Sequence, residues 1–158
     1  MNSGADFIEI DVRRDDRGRI IDSHDEPKPG EDPATLDEIL EALDGRVGLH
    51  LDMKEPGYEV ELIGRILERL PPDKIVATPD YNDSIYTIKE KFPQIRVSPI
   101  DFVAVDQQFM DRTYARPIWV WTVDDKRAMK RYMKDARVEG IITNRPDVAL
   151  KLLRKARA

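Results

Sequence analysis

The stretch Phe7-Ile8-Glu9-Ile10-Asp11-Val12 determines how the rest of the chain is interpreted. Four of its six residues are apolar, and three of these have β-branched side chains, which predicts a β-strand. Side chains two apart in a strand lie on the same face, so Glu9 and Asp11 are expected to project together. The apolar neighbours favour a strand that is buried on both faces, as in a parallel sheet. Two carboxylates on one buried face repel each other unless a cation neutralises them or one is protonated.

Two interpretations of this acidic pair remain open at this point. Oxygen ligands suit a hard divalent cation such as Mg²⁺ or Ca²⁺, so Glu9 and Asp11 are candidate metal ligands. Alternatively, both belong to the polar face of an exposed strand and pair with arginines of the charged turn over residues 13–19. The apolar pair Ile20-Ile21 follows this turn and predicts a second short strand. The chain is therefore expected to fold back and bring His24 toward the carboxylates.

The composition limits the classes of protein to consider. The length of 158 residues predicts one domain, over residues 1–158, that is large enough for a hydrophobic core. With 26 Lys+Arg and 31 Asp+Glu, the net charge of -5 gives no support to a nucleic-acid partner. The chain has no cysteine, no signal-peptide pattern and no apolar run near the ~20 residues of a membrane span. We therefore predict a cytoplasmic protein without a membrane span.

Predicted strands and helices alternate along the remaining chain. Thr35 followed by Glu38 fits a capping box at the start of a helix, and the next strand is predicted over residues 47–54. The later predicted elements are helix 58–70, strand 74–77, helix 83–92, strands 95–100 and 102–105, strand 117–123, helix 125–136, strand 138–143 and helix 147–156. This α/β pattern predicts a parallel sheet, either as a barrel or as a doubly wound sheet.

The strand over residues 47–54 carries polar side chains at alternate positions. His50, Asp52 and Lys54 share one face, and the leucines and Met53 share the other. One interpretation is a surface strand with an ordinary polar face. The other is a strand covered on both faces, because helices are predicted on either side of it in sequence. In that case Asp52 adds a third carboxylate to a cation site, and Lys54 supplies a cationic contact for phosphate.

Six stretches resemble the glycerophosphodiester phosphodiesterase family and occur in the order of that family. They are GADFIEIDVR (4–13), SHD (23–25), TLDEIL (35–40), LDMK (51–54), WVWTVD (119–124) and EGIITNRP (139–146). The resemblance runs nearly from end to end. It implies a TIM-type (β/α)₈ barrel that hydrolyses glycerophosphodiesters to an alcohol and sn-glycerol 3-phosphate. It also implies a divalent cation, Mg²⁺ or Ca²⁺, as cofactor and a small-molecule glycerophosphodiester as substrate.

The resemblance assigns roles to individual side chains. It implies that Glu9, Asp11 and Asp52 are metal ligands, where Asp52 replaces the usual glutamate of the family and is shorter by one methylene. It further implies that His24 is one of two acid/base histidines and that Lys54 contacts phosphate.

Trp121 matches an aromatic residue that lines the glycerol pocket in the family. Packing inside the barrel is the alternative role for Trp121. His50 is expected to be a core residue or to support the ligands, and substitution as acid/base is the alternative.

The beginning of the chain departs from the family pattern. Family members start with a strand that ends in His-Arg-Gly and a following helix, for which Met1 to Ser3 leave no room. We therefore expect an incomplete barrel that lacks the first strand-helix unit. If the barrel stays open, the edges at strands 7–12 and 138–143 would favour a homo-oligomer, and the alternative is a barrel that closes directly with fewer strands. The alternative to an active enzyme is a catalytically impaired or truncated relative that binds metal or phosphate without turnover.

Overall fold

A computed structural model describes residues 4–157, with side chains through residue 156. These residues form two compact units, and each is described by itself. The N-terminal unit comprises residues 6–98, and the C-terminal unit comprises residues 99–157 together with residues 4–5. The single domain over residues 1–158 stays a prediction.

The N-terminal unit alternates strands with helices, as expected. Its elements are β1 (Phe7–Arg14), β2 (Ile20–Asp22), α1 (Leu36–Leu43), β3 (Gly48–Met53), α2 (Glu59–Leu67), a short 3₁₀ helix (Pro72–Lys74), β4 (Ile75–Pro79), α3 (Asn82–Lys91) and β5 (Arg96–Val97). The strands form one sheet in the order β2-β1-β3-β4-β5. Only the β1–β2 pair is antiparallel in this sheet, and the other three pairs are parallel.

One face of this sheet packs against the helices. Ile10 and Val12 of β1 join Leu49, Leu51 and Met53 of β3 in a single apolar core with the inward stripes of α1, α2 and α3. All five side chains are buried. Burial of a side chain of this size contributes about 1.5–3 kcal/mol, so the apolar alternation of β3 fixes which face meets the helices. The polar side chains at the intervening positions necessarily occupy the opposite face.

The predicted capping box at α1 is confirmed. The Thr35 hydroxyl accepts a hydrogen bond from the Glu38 backbone N–H, and the Glu38 carboxylate accepts one from the Thr35 backbone N–H at 2.8 Å. The helix ends at Leu43, because Asp44 adopts a left-handed conformation with φ of 50°. Gly45 follows, also at positive φ.

Strand β1 differs from its prediction in two respects. It continues through Arg13 and Arg14, which were predicted to lie in the turn, because their backbones pair with Ile21 and Ile20 of β2. Their side chains form ion pairs with Glu55 and Glu61. The strand is also not buried on both faces, since Ile8 is 39% exposed and Glu9 is exposed.

The C-terminal unit has a smaller parallel sheet. Its elements are β6 (Val103–Asp106), a 3₁₀ helix (Gln107–Arg112), β7 (Ile118–Trp121), α4 (Lys126–Tyr132), β8 (Val138–Ile141) and α5 (Pro146–Arg157). The strand order is β6-β7-β8. Ile118 and Val120 of β7 pack in one apolar core with residues of α4 and α5. Gly140 faces the Trp119 ring so closely that a Cβ at this position would lie 2.8 Å from it.

The two predictions over residues 95–100 and 117–123 are too long, because only Arg96–Val97 and Ile118–Trp121 form ladders. The 3₁₀ helix over Gln107–Arg112 was not predicted. Asp106 starts it, since its carboxylate accepts the Gln108 backbone N–H at 2.9 Å.

Candidate active site

The register of β1 and β3 places the predicted site residues side by side. Glu9 lies opposite His50, and Asp11 lies opposite Asp52. Across the next ladder, Asp52 lies opposite Thr78 of β4. All five positions share the sheet face that points away from α1, α2 and α3, because they alternate with the core residues of each strand.

Three carboxylates meet on this face. Glu9, Asp11 and Asp52 each offer an oxygen, and these three oxygens lie within 4.8 Å of one another. The Lys54 ammonium lies 3.0 Å from Asp11 Oδ1 and 2.7 Å from Asp52 Oδ2. Lys54 therefore neutralises part of the negative charge.

The electrostatics of the cluster favour further neutralisation. Loss of hydration, and then repulsion from Asp11 and Asp52, raises the pKa of Glu9 to about 7. Burial likewise raises the pKa of Asp52, and the hydrogen bond from Lys54 offsets only part of that effect. Burial acts to lower the pKa of Lys54, but hydrogen bonds to Asp52 and Asp11 outweigh it and raise that pKa. Lys54 is therefore charged at neutral pH, while Glu9 is poised between two protonation states.

The donor set fits a hard divalent cation. Three carboxylates provide oxygen ligands only, which is the chemistry that Mg²⁺ and Ca²⁺ require. Lys54 engages one oxygen of Asp11 and one of Asp52, so each of these side chains retains a second oxygen. Glu9 has the unfavourable charge environment that an ion would relieve.

His24 lies on the loop that follows β2. The Ser23 backbone N–H donates to the Asp11 carbonyl at 2.8 Å, so this loop begins directly beside a candidate ligand. The Arg13 Nε–H donates to the His24 carbonyl at 3.0 Å. The His24 ring is exposed, and its Nδ1 lies 3.0 Å from Asp25 Oδ1. This contact favours the tautomer that carries the proton on Nδ1, so that Nε2 is the ring atom free to exchange a proton.

Several supporting residues were missed in the sequence. Glu55 accepts a hydrogen bond from Arg13 Nη1 at 2.6 Å, and the Tyr58 hydroxyl donates to the Val12 carbonyl at 2.8 Å. These two hydrogen bonds connect the segment that follows Lys54 to the end of β1. Asp22 Oδ1 accepts the Asp11 backbone N–H at 3.0 Å. In the sequence, only the position of Glu55 immediately after the LDMK stretch could have indicated that it supports the site.

His50 is a buried residue of this face, with 3% of its surface exposed. Its Nε2 lies 2.7 Å from the Thr78 hydroxyl. Burial lowers the pKa of His50 to about 4, so the ring is neutral at pH 7. These features fit the supporting role predicted for His50 better than proton exchange.

Trp121 belongs to the C-terminal unit, at the end of β7. Its side chain is 40% exposed, whereas Trp119 on the same strand face is buried and donates from Nε1 to Glu139 at 2.8 Å. Exposure is what a substrate-contacting aromatic residue needs, and burial identifies Trp119 as the packing residue.

The class of fold follows from this arrangement. Residues 4–157 contain seven parallel strands in two sheets, and Asp52 and Lys54 lie where β3 ends. Functional groups at the carboxyl ends of parallel strands are typical of α/β barrels.

Comparison with solved structures establishes the particular fold. A glycerophosphodiester phosphodiesterase from Parabacteroides distasonis matches with a TM-score of 0.78 and 17% identity, over 98% of this chain and 86% of that chain. One from Agrobacterium tumefaciens matches with a TM-score of 0.70 and 18% identity, over 94% and 88%. A phosphodiesterase from Oleispira antarctica, solved with the product sn-glycerol-3-phosphate, matches with a TM-score of 0.72 and 17% identity, over 96% and 86%.

The chain therefore has the TIM-type fold of these phosphodiesterases, and the predicted α/β fold class is confirmed. The described residues form four parallel strands in one sheet and three in the other, whereas a complete barrel of this type has eight strands. No protein-family model and no curated sequence matches the chain. No helix within residues 4–157 is long and apolar enough to cross a membrane.

Proposed function

We propose that this protein is a metal-dependent phosphodiesterase that hydrolyses glycerophosphodiesters to an alcohol and sn-glycerol 3-phosphate. The observation that carries the proposal is the cluster of Glu9, Asp11 and Asp52 around the Lys54 ammonium, on a fold shared with glycerophosphodiester phosphodiesterases. Anionic oxygens can hold a cation, and the cation and the ammonium can both stabilise the charge that develops on a phosphoryl group.

Each residue has a proposed part in the reaction. Glu9, Asp11 and Asp52 would hold Mg²⁺ or Ca²⁺, which supplies Lewis-acid polarisation of a phosphoryl oxygen when bound. Lys54 would stabilise the negative charge that develops on the phosphoryl group. As water adds to phosphorus, the bond to the alcohol breaks and the water loses a proton to the solvent. The imidazolium form of His24 would donate its Nε2 proton to the leaving oxygen, and the ring would then take up a proton from the solvent.

Trp121 is proposed to contact the glycerol moiety through its exposed ring. A cytoplasmic location is also proposed, and the lack of cysteine is compatible with a reducing compartment. Self-association through strand edges also stays a prediction.

One observation favours the second candidate, a relative that binds metal and phosphate without turnover. The sequence contains two histidines, and His50 is buried and neutral at pH 7. His24 is thus left as the single histidine for proton exchange. A missing second acid/base group costs ~10²–10⁴ in rate, which would reduce hydrolysis to a low level.

A hydrolysis assay separates the two candidates. Glycerophosphocholine and glycerophosphoethanolamine are incubated with protein stripped by EDTA and then supplied with Mg²⁺ or Ca²⁺, and sn-glycerol 3-phosphate is measured. The phosphodiesterase proposal expects product only with the ion, and it expects His24→Ala to lower the rate by ~10²-fold or more. Glu26→Gln, an exposed change in the same loop, is the matched control and should keep the activity.

Ion titration by calorimetry completes the design. Binding of Mg²⁺ or Ca²⁺ to the wild type and to His24→Ala, but not to Asp11→Asn, is expected for the ligand set. Binding without hydrolysis would support the second candidate. Absence of both binding and hydrolysis would overturn both.

A further inference from the structure

The outer faces of α4 and α5 form a basic surface. The two helices pack against each other through Met129, Tyr132 and Leu152, which places their remaining sides toward solvent. Seven exposed cations lie on those sides or, in the case of Lys134, two residues beyond the end of α4; they are Lys126, Arg127, Lys130, Lys134, Lys151, Arg154 and Lys155. Among the described residues, no ion pair reaches any of the seven. We call this set the basic surface.

This arrangement is unlike that of the other cations in the chain. In the N-terminal unit, Arg13, Arg14, Arg19, Lys54, Arg65 and Lys91 form ion pairs. Residues 6–98 contain 13 Lys+Arg and 23 Asp+Glu, whereas residues 99–157 contain 13 and 8. The excess of positive charge is therefore concentrated in the C-terminal unit.

The basic surface carries a cost to stability. Lys126 and Lys130 are separated by one helical turn, as are Lys151 and Lys155, and like charges at this spacing repel each other. Lys126 also lies in the first turn of α4, where the helix dipole disfavours a cation. An anionic ligand would relieve both effects.

Exposed aromatic residues flank the basic surface. The segment 107–114 is fastened to α4 by the Arg131–Asp111 ion pair at 2.5 Å and by the Tyr132 hydroxyl, which donates to the Gln107 carbonyl at 3.3 Å. Within this segment, Phe109 is 49% exposed and Tyr114 is 92% exposed. Basic residues with aromatic neighbours are the combination that binds the headgroup region of a bilayer.

The composition of the surface favours lipid over the other polyanions. Five of the seven cations are lysines, which act as strongly hydrated point charges, whereas bidentate recognition of nucleic-acid phosphates favours arginine. The surface consists of the outer sides of two packed helices and is not a groove that would follow a strand. The acidic residues of the N-terminal unit lie on strands, loops and helices, and association of two copies through them is detected by light scattering in the test below.

We propose that the basic surface, with Phe109 and Tyr114, docks the protein reversibly on a bilayer that contains anionic phospholipids. Ile118 and Val120 of β7 face these helices, whereas Trp119 and Trp121 lie on the other face of the strand. Docking through the helices thus leaves the Trp121 face free. The inference rests on charge and exposure and does not depend on phosphodiesterase activity.

Vesicle sedimentation tests the proposal. The full chain is mixed at low salt with vesicles of phosphatidylcholine alone, or with vesicles containing about one third phosphatidylserine. We expect binding to the anionic vesicles only, with release at high salt because the attraction is screened. Each removed cation should weaken binding about fivefold, so K126Q/K130Q/K134Q should lose on the order of a hundredfold. Phe109→Ser should weaken binding without changing its salt dependence.

The control variant removes the same charge elsewhere. R17Q/K28Q/K91Q changes three exposed cations of the N-terminal unit and should bind like the wild type, and circular dichroism checks the fold of both variants. Equal binding of the two triple variants would overturn the proposal, because net charge alone would then account for it. The proposal would also be overturned if the wild type did not bind anionic vesicles, or if it bound duplex or single-stranded DNA more tightly in a parallel titration. Light scattering would overturn it as well if it showed that the basic surface associates with a second copy of the chain and is then no longer available to vesicles.

Discussion

The two units of this protein use basic side chains in different ways. Most cations of residues 6–98 form ion pairs or bind backbone carbonyl groups, as Lys54 and Lys74 illustrate. In the C-terminal unit, the described ion pairs are those of Arg131 and Arg137, and the seven cations of the basic surface form no described ion pair. A paired cation is part of the structure or of the site. An unpaired cluster costs stability and is available to a ligand.

The largest expected effect comes from the most buried of the paired cations. Lys54→Met should lower the free energy of unfolding by about 2 kcal/mol, because it leaves Asp11 and Asp52 without their neutralising partner. Urea denaturation measures this change. Mg²⁺ should restore part of the lost stability, since an ion that binds only the folded state stabilises it.

Lys91→Met is the control for this experiment. Lys91 pairs with Glu90 on an exposed helix surface, where such pairs contribute about 0–1 kcal/mol. If both variants were equally stable, Lys54 would not be the group that holds the carboxylates together.

The second expected effect concerns Arg137, a cation of the C-terminal unit that forms an ion pair. Arg137 donates to Asp135 and to the carbonyl groups of Met110 and Thr113. Its hydrogen bond lowers the pKa of Asp135 to about 2. Arg137→Gln should therefore lower Tm by a few degrees at pH 7, whereas Lys134→Gln on the basic surface should not.

The pH dependence of this difference has a definite sign. A carboxyl group with a depressed pKa contributes stability above its ordinary pKa, near 4, and that contribution disappears as the pH falls through the folded-state value. The difference in Tm between wild type and Arg137→Gln should thus shrink between about pH 4 and pH 2. A difference that stayed constant over this range would assign the stabilisation to the two carbonyl contacts alone.

The sequence predicted the elements that have strong periodicity or capping signals. The apolar alternation of β3 determined its two faces, and Thr35 with Glu38 located the start of α1. It also predicted that Glu9, Asp11 and Asp52 converge, because parallel strands in register bring equivalent positions together. Their roles as ligands stay a prediction.

The sequence could not show the contacts that depend on three-dimensional packing. The ion pair of Arg13 with Glu55 is an example, because the two residues lie 42 positions apart in the chain and no local signal joins them. The Lys54 ammonium was predicted as a phosphate contact beside Asp52 on the same strand face, but its ion pair with Asp11 follows only from the register of β1 and β3. The basic surface depends equally on the packing of α4 against α5.

The third prediction treats Arg13 as a positioning residue. Arg13→Gln removes the hydrogen bond to the His24 carbonyl and the ion pair with Glu55, so the His24 loop should shift. In the proposed reaction, kcat should fall about tenfold while KM and Mg²⁺ affinity stay near their wild-type values. The NMR resonance of the His24 ring reports the same displacement without turnover.

Arg14→Gln is the matched control, because Arg14 is the next residue on β1 and pairs with Glu61 instead. Equal loss of kcat in both variants, or an unchanged His24 resonance in Arg13→Gln, would mean that Arg13 does not position the loop.

The smallest effect has the opposite sign and tests the cost of the basic surface directly. Lys126→Gln removes a cation from the first turn of α4 and ends its repulsion with Lys130. The variant should therefore be more stable than the wild type, by about 0.5 kcal/mol at low salt, and the gain should vanish at high salt. Lys28→Gln, in a loop, should leave stability unchanged. Because the same change should weaken binding to anionic vesicles, stability and docking would move in opposite directions at one residue. A loss of stability in Lys126→Gln would show that this cation supports the fold. The statement that the unpaired cations of the C-terminal unit cost stability would then be wrong for Lys126.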